Sequence, residues 1–375
     1  MDAKVWSAMK PILANALALP LPDRPAFIAW ACEGRHDLRD CALSLLREPL
    51  GDFLDSELDP VSTDDSMVEL HGVLGRQMAG WCVVRLLARG GMGAVYLAHR
   101  HDDHERRAAI KIPFPGDDPD SANRSIEREY DFLKRLDHPC VVRPMGLASL
   151  DDLVCLVMEH VDGMPLDAYC DVHRLGVAER IDLVMKLCAA VEHVHERGVI
   201  HNDIKPANVL VCEAGRPTLV DFGIASVRTP AGNTGCRPRR ERKARAGRVE
   251  RSTAFTIECA SPEQFRNQSP GPGSDVYALG LLLYRLLTGR HPQEPFGPAS
   301  MIQRLLSLRR QVMPPSALVR MTGAPRSMPI TSREVLAAEL EAGLDHVVAR
   351  ALARDPAQRH QSAAALRADL LAIRY

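Results

Sequence analysis

The sequence predicts an α+β fold in which a strand-rich lobe is followed by a helix-rich lobe, with a small helical region in front. Three observations predict it. The 375 residues are 46% hydrophobic and 25% charged, the balance of a globular chain long enough for two to three units of about 150 residues each. Three apolar runs, Trp81 to Leu87, Ala94 to Ala98 and Ala108 to Ile112, follow one another across glycine-rich or polar turns, as in an antiparallel sheet. Beyond about residue 165 the apolar residues fall at helical spacing instead, as in Ile181, Val184, Cys188, Val191 and Val194.

Taken from the front, residues 1–58 read as short helices. Ala26, Phe27, Ala29, Trp30 and Cys32 cluster, Leu38, Ala42, Leu45 and Leu46 recur at helical spacing, and Pro25 suits a first turn behind Asp23 as a cap. Residues 59–78 read as a linker, rich in turn formers such as Pro60, Ser62, Asp64, Asp65 and Gly72. The two-lobed body is expected over 79–375, with its strand-rich part at about 79–160 and its helical part at about 161–375.

Several function classes are disfavoured. A formal net charge of −1 speaks against general nucleic-acid or membrane-surface binding. The start, with Asp2, Lys10 and Pro11, is unlike a signal peptide. The best apolar run, Val276 to Leu287, contains Arg285 and is shorter than the ~20 residues a spanning helix needs. The ten cysteines include no Cys-x-x-Cys pair, so neither a zinc site nor a redox pair is indicated. The expectation is a cytoplasmic protein with reduced thiols and no membrane anchor.

Five motifs carry chemistry. Between two strand-like runs stands Leu87-Ala88-Arg89-Gly90-Gly91-Met92-Gly93-Ala94-Val95, where glycines allow close backbone approach to phosphates; a plain hairpin turn fits as well. Lys111 lies among apolar neighbours on a predicted strand and needs an anionic partner there, unless it is solvated. Glu129 sits beside the apolar stripe Ile126, Tyr130, Leu133 and Leu136 of a predicted helix, placed to pair with Lys111 or to reach solvent. The loop His201-Asn202-Asp203-Ile204-Lys205-Pro206-Ala207-Asn208 puts a carboxylate, an ammonium and a carboxamide together. Asp221-Phe222-Gly223 ends an apolar run with a carboxylate, which suits a metal ligand or a turn. The polar stretch His99, His101, Asp102, Asp103 and His104 reads as an exposed turn, and His193 and His195, two apart on a helix, point in different directions.

In this order and spacing the motifs resemble the eukaryotic-type (Hanks-type) bacterial serine/threonine protein kinase family, over roughly residues 80–375. Ser261-Pro262-Glu263, Asp275 at the head of a long apolar helix, and Asp355-Pro356 to Arg359 extend the likeness. The resemblance implies a bilobal protein-kinase-like fold and an ATP- and Mg²⁺-dependent enzyme that phosphorylates Ser or Thr of protein substrates in signalling. It assigns Lys111 to the ATP phosphates with Glu129 as its partner, and Asp203 to orienting the attacking hydroxyl. Lys205 would neutralise the transferring group, while Asn208 and Asp221 would hold Mg²⁺. The stretch from Leu87 to Val95 would cover the phosphates, and Met158, Glu159 and Val161 would meet the adenine. Arg359 is expected to pair with Glu263, and Thr256 to face the catalytic loop. A nucleotide-binding scaffold without catalysis is the alternative.

Two departures from the family pattern have consequences. Ala88 stands where the first loop glycine is usual, a modest change that should leave ATP binding intact. Asn202 replaces the Arg that usually precedes the catalytic Asp and anchors a phosphate on the activation segment; loop phosphorylation is therefore not expected to be the main on-switch. The segment itself, 221–263, is long and includes a basic insertion over about 228–251, nine Arg or Lys against Glu241 and Glu250. An acidic partner or a merely solvated loop both fit it. Since the sequence ends at Tyr375, the input signal is expected through the N-terminal helices, the basic loop or a separate protein.

Overall fold

The computed structural model describes residues 28, 32, 72–114, 118–223, 225–227, 259–265, 268–292, 312–325, 327–329 and 332–373. The chain forms two compact units. One comprises Met1–Val73 with Gln293–Gln311, the other Leu74–Pro292 with Val312–Tyr375. Of the first, Ile28, Cys32, Gly72 and Val73 are described; Ile28 and Cys32 are buried, and the Cys32 N–H donates to the Ile28 carbonyl at 3.0 Å. The remaining expectations for 1–58, and those for Thr256 and the basic insertion, lie outside the described residues.

The second unit begins with a six-stranded antiparallel sheet in the order β1-β2-β3-β4-β6-β5. Its strands are β1 (Gln77–Met78), β2 (Trp81–Gly90), β3 (Gly93–Arg100), β4 (Arg107–Pro113), β5 (Pro144–Leu150) and β6 (Leu153–Glu159). The three apolar runs of the sequence are β2, β3 and β4. The sheet starts at Gln77, within the stretch read as linker, because Met78 and Gln77 pair with Trp81 and Cys82. Between β4 and β5 lies helix α1 (Pro119–Leu133). It starts where the Asp118 side chain accepts the Ser121 N–H at 3.2 Å, with Pro119 in the first turn. Ile126, Glu129 and Leu133 form its buried face.

The helical part contains β7 (Gly163–Pro165), α2 (Leu166–Val172), α3 (Val177–Glu196), β8 (Val199–Ile200), β9 (Val209–Cys212), β10 (Pro217–Leu219) and β11 (Ser226–Val227). These are followed by α4 (Pro262–Phe265), α5 (Pro272–Thr288), α6 (Pro315–Thr322), α7 (Arg333–Glu339), α8 (Asp345–Ala351) and α9 (Ala363–Ile373). The predicted stripe on α3 is fully or almost fully buried, with Val184, Cys188, Val191 and Val194 inaccessible to solvent. Each large aliphatic side chain so buried contributes roughly 1.5–3 kcal/mol. The run Val276 to Leu287 lies in α5 and is buried throughout but for Arg285 and its near neighbours' edges. Gly289 closes α5 in the left-handed conformation (φ 72°), its N–H on the Arg285 carbonyl at 2.8 Å. One apolar core joins α3, α5, α8 and α9 to Ile126, Leu133, Leu156 and Met158 of the strand-rich lobe.

Among the described residues, no helix is long and apolar enough to cross a membrane. Cys82, Cys140, Cys155, Cys170, Cys188 and Cys212 are free thiols, and burial pushes Cys155 and Cys188 up to about 12 and Cys170 up to about 11. Residues 101–106 form an exposed turn, at whose start Arg100 of β3 pairs with Asp102 at 3.1 Å; His99, expected in the turn, lies on β3.

Candidate active site

The site lies where the sheet meets the helical lobe. β4 presents Lys111 and α1 presents Glu129, residues 18 apart in the chain. The Lys111 ammonium donates to Glu129 Oε2 at 2.7 Å and Oε1 at 3.0 Å, and to Asp221 Oδ1 at 2.5 Å. Glu129 Oε1 also accepts the Phe222 N–H at 3.0 Å. Burial works against the Lys111 ammonium, but the two carboxylates outweigh it and hold its pKa above the usual lysine value. Burial likewise raises Glu129 above the usual carboxylate range, although Lys111 pulls the other way. Asp221 ends below its usual value, since Lys111 more than offsets the cost of burial there. Asp221 has φ 66°, a region costly for a non-glycine residue. Gly223 lies close against the trio: a Cβ on it would stand 2.9 Å from Lys111 Nζ and would displace that ammonium.

The β2–β3 hairpin covers this trio. Gly90 pairs with Gly93 across the turn Gly91-Met92, and Val95 stands directly opposite Lys111 in the β3–β4 register. Leu87, Ala88, Arg89 and Ala94 belong to the same two strands. Ala88 is not among the positive-φ residues, so its methyl group is conformationally free of cost. Gly93 cannot carry a side chain, because a Cβ would meet the Pro113 Cα at 2.9 Å. A Cβ on Gly91 would meet nothing within 4 Å, and one on Gly90 would make an ordinary contact with the Gly93 carbonyl oxygen at 3.8 Å. Met158 and Glu159 end β6 opposite Ala109 and Ala108, and Val161 follows in the connection between the lobes.

The loop 201–208 supplies the second cluster. Asp203 Oδ2 accepts from Lys205 Nζ at 2.7 Å and from Asn208 Nδ2 at 2.9 Å, and the Asn208 amide also holds the Asp203 carbonyl at 2.9 Å. Asp203 Oδ1 is buried and has no partner among the described residues. A buried carboxylate therefore has one oxygen saturated and one open. Asn208 spends its amide N–H on Asp203, which leaves its carbonyl oxygen, and Asp221 keeps Oδ2. Both are hard oxygen donors of the kind Mg²⁺ takes.

Supporting contacts hold the loop in place. Asp275 is fully buried and accepts His195 Nε2 at 2.7 Å, the His201 N–H at 2.9 Å and the Asn202 N–H at 2.8 Å. It is not the helix cap, since α5 begins after Gly271. His201 stacks on Phe222 with ring centroids 4.5 Å apart, and burial lowers its pKa, so it is neutral. His193 points elsewhere and accepts the Asp137 N–H. Asn202, with φ 69°, donates to Ser226 Oγ at 3.0 Å, and its carbonyl accepts from Gln264 Nε2 at 3.3 Å. Arg359, with no accessible side-chain surface, makes two 2.7 Å bonds to the two oxygens of Glu263.

The motifs thus converge, although 110 residues separate Lys111 from Asp221. Sequence reasoning gave His195 no role and did not single out Gln264, Ser226 or Asn123; each acts through a contact distant in the chain, and no local pattern marks it.

Comparison with known proteins agrees with this geometry. The protein kinase domain family matches residues 81–371. The serine/threonine-protein kinase PrkC of Bacillus subtilis (strain 168) is 30% identical over 303 residues, which cover 80% of this chain and 41% of PrkC. The serine/threonine-protein kinase PknB of Mycobacterium tuberculosis (strain ATCC 25618 / H37Rv) is 33% identical over 298 residues, 77% of this chain and 42% of PknB. The chain spans about two fifths of the length of these curated relatives. The crystal structure of the Mycobacterium tuberculosis PknI kinase domain superimposes with a TM-score of 0.53 at 25% identity, covering 80% of this chain and 98% of that one. With its strand-rich lobe, its helical lobe and its ordered motifs, the chain belongs to the protein kinase domain family, among the eukaryotic-type serine/threonine kinases of bacteria.

Proposed function

We propose that this chain is a protein serine/threonine kinase that uses ATP and Mg²⁺ and phosphorylates proteins in bacterial signalling. The observation that carries the reading is the half-open carboxylate of Asp203. Its free Oδ1 is placed to accept the proton of a Ser or Thr hydroxyl, while Lys205 and Asn208 hold Oδ2 and fix the orientation. In the reaction the hydroxyl oxygen bonds to the γ-phosphorus as the bond from that phosphorus to the β,γ-bridging oxygen breaks. ADP leaves, and the hydroxyl proton passes to Asp203. Lys111, held by Glu129, would bind the α- and β-phosphates once Asp221 turns to its metal, and Lys205 would neutralise the transferring group. Asn208 and Asp221 would hold Mg²⁺, which when bound offsets phosphate charge. Gly90, Gly91 and Gly93 would cover the phosphates, and Met158, Glu159 and Val161 would line the adenine site. Most of the catalysis would be positioning and charge stabilisation.

The test is transfer from γ-labelled ATP with Mg²⁺ to the protein itself and to a generic Ser/Thr substrate, with nucleotide binding read in the same samples. Labelled phosphoserine or phosphothreonine, absent in Lys111→Ala, is the expected result. Binding without transfer by folded protein would make the chain a scaffold.

We take the catalytic body to begin at Gln77, behind a helical region at 1–58 and a linker that ends before Gln77, and we assign the chain to the cytoplasm, a reading that the free thiols of Cys155, Cys170 and Cys188 support. Regulation follows from Asn202. Its amide already holds Ser226, and it has no charge with which to bind a phosphate. Replacing Thr229, Thr234, Ser252 and Thr253 together with Ala is expected to leave kcat within about twofold; a loss of tenfold or more would show that a loop phosphate is needed. The basic stretch at 228–251 suits an acidic protein partner or substrate. Exchanging its arginines for glutamine should raise the KM for an acidic substrate at low salt and flatten its salt dependence. An unchanged salt dependence would leave the stretch a solvated loop.

A further inference from the structure

The register of the sheet leaves a gap beside helix α1. β4 and β6 pair from Ala108 opposite Glu159 to Lys111 opposite Leu156, and the pairing stops there. Continued by two residues, it would place Pro113 opposite Val154, and proline has no N–H to offer. The backbone at the start of β6 therefore lacks a strand partner on that side. The side chain of Asn123, one turn into α1, takes the place of the missing strand. Its Nδ2 donates to the Asp152 carbonyl at 2.8 Å, and its Oδ1 accepts the Val154 N–H at 2.7 Å.

This contact bears on Lys111. The apolar face of α1, Ile126 and Leu133, is buried, but apolar packing is non-directional and does not set the helix's axial position. Arg128 bonds the Arg124 carbonyl, and Arg124 pairs with Asp118 at the helix start. Asn123 and Glu129 each attach the helix directionally to the sheet. They lie six residues apart, roughly 9 Å along the axis. On the sheet side Val154 is two residues from Leu156, the partner of Lys111. Helix, strand β6, strand β4 and the Lys111–Glu129 ion pair thus close a circuit, and Asn123 is its fourth corner.

We propose that Asn123 is a positioning residue that latches α1 to the β5–β6 hairpin and so keeps Glu129 on Lys111 without an external activator. The proposal rests on the kinase reading for its catalytic consequence, but not for its structural one. Loss of the two bonds releases the helix end, the ion pair opens more often, and Lys111 becomes both more reactive and less well placed for nucleotide.

The test uses the full chain and two readouts. The first is acylation of Lys111 by a limiting N-hydroxysuccinimide ester, quantified by mass spectrometry, with Glu129→Gln as the positive control. Asn123→Ala is expected to raise the labelling on the order of five- to tenfold, the factor that two modest hydrogen bonds supply. Should Asn123→Ala not fold, Asn123→Asp keeps the acceptor for Val154, loses the donor and is expected to show a smaller rise. Unchanged labelling in the folded variant overturns the latch. The second readout is the KM for ATP in a double-mutant cycle. Asn123→Ala should raise it several-fold in the wild-type background and have no further effect on top of Glu129→Gln. Effects that simply multiply would mean that Asn123 steadies the lobe in general, and would overturn the proposal. If the wild type transfers no phosphate, the kinase reading fails, and the labelling arm alone decides the latch.

Discussion

Replacing Asp203 with alanine is expected to lower kcat for phosphoryl transfer by about 10²–10⁴-fold while leaving nucleotide affinity within a few-fold. The two parts of this expectation have separate origins. Asp203 is proposed to offer its unpartnered Oδ1 to the incoming hydroxyl. Nucleotide affinity is proposed to rest instead on Lys111, Glu129 and Asp221, which bond one another rather than Asp203. Removing the carboxylate also takes one partner from Lys205 and one from the Asn208 amide, so part of the loss comes from a less well held loop. Asp203→Asn separates the contributions, since it retains a hydrogen-bonding side chain and cannot take up the proton. Steady-state transfer assays beside equilibrium nucleotide binding measure both quantities. A variant that keeps more than a tenth of the wild-type kcat would remove Asp203 from the proposed role.

The second large effect is on stability. Arg359→Ala is expected to destabilise the protein by about 3–5 kcal/mol, the cost of leaving the other half of a buried ion pair without its partner. Arg359 is fully buried. It bonds both oxygens of Glu263 and the carbonyls of Ala353, Gly273 and Arg354, and its guanidinium lies 4.9 Å from the centre of the Tyr277 ring. Of its side-chain partners among the described residues, Glu263 would keep the Ser274 hydroxyl at 2.7 Å. In a domain of this size such a loss corresponds to a fall in Tm on the order of 10 °C. A fall of less than 2 °C in thermal denaturation would mean that the surroundings re-solvate Glu263 without difficulty. The pair also has a pH signature. Burial pushes the Glu263 carboxyl up, but Arg359 and Ser274 bring it below its usual value. Its stabilisation is therefore fully present above the usual glutamate pKa and is lost as the pH falls through the depressed folded value. The wild type should lose this stability in acid, and Arg359→Ala should show a flatter acid limb.

Much of this architecture was legible in residues alone. Strand and helix periods of 2.0 and 3.6 are written locally, which is why β2, β3, β4, α3 and α5 can be read from the positions of their apolar residues. The catalytic-loop residues Asp203, Lys205 and Asn208 were legible for a similar reason, since they fall within six residues of one another and the chain between them has few ways to run. Lys111 and Glu129 were legible as candidates, and each also allowed a solvated alternative. That alternative fails because the register of β4 against β6 and the seating of α1 turn both side chains inward, where only mutual pairing offsets burial.

What the sequence by itself determined is the identity and order of the reactive groups, the alternation of the strands and the apolar faces of the helices. These depend on near neighbours in the chain. Only the tertiary structure decided which groups meet: Asp221 with Lys111, Asp275 with the backbone of His201 and Asn202, and Asn123 with the strand edge that Pro113 leaves unpaired. Such contacts depend on sheet register, on left-handed backbone at Asn202 and Asp221, and on the depth at which helices seat in a shared core. Those are properties of the packed chain as a whole, because a hydrogen bond needs its partners within about 3 Å and no local spacing specifies a distance across the fold.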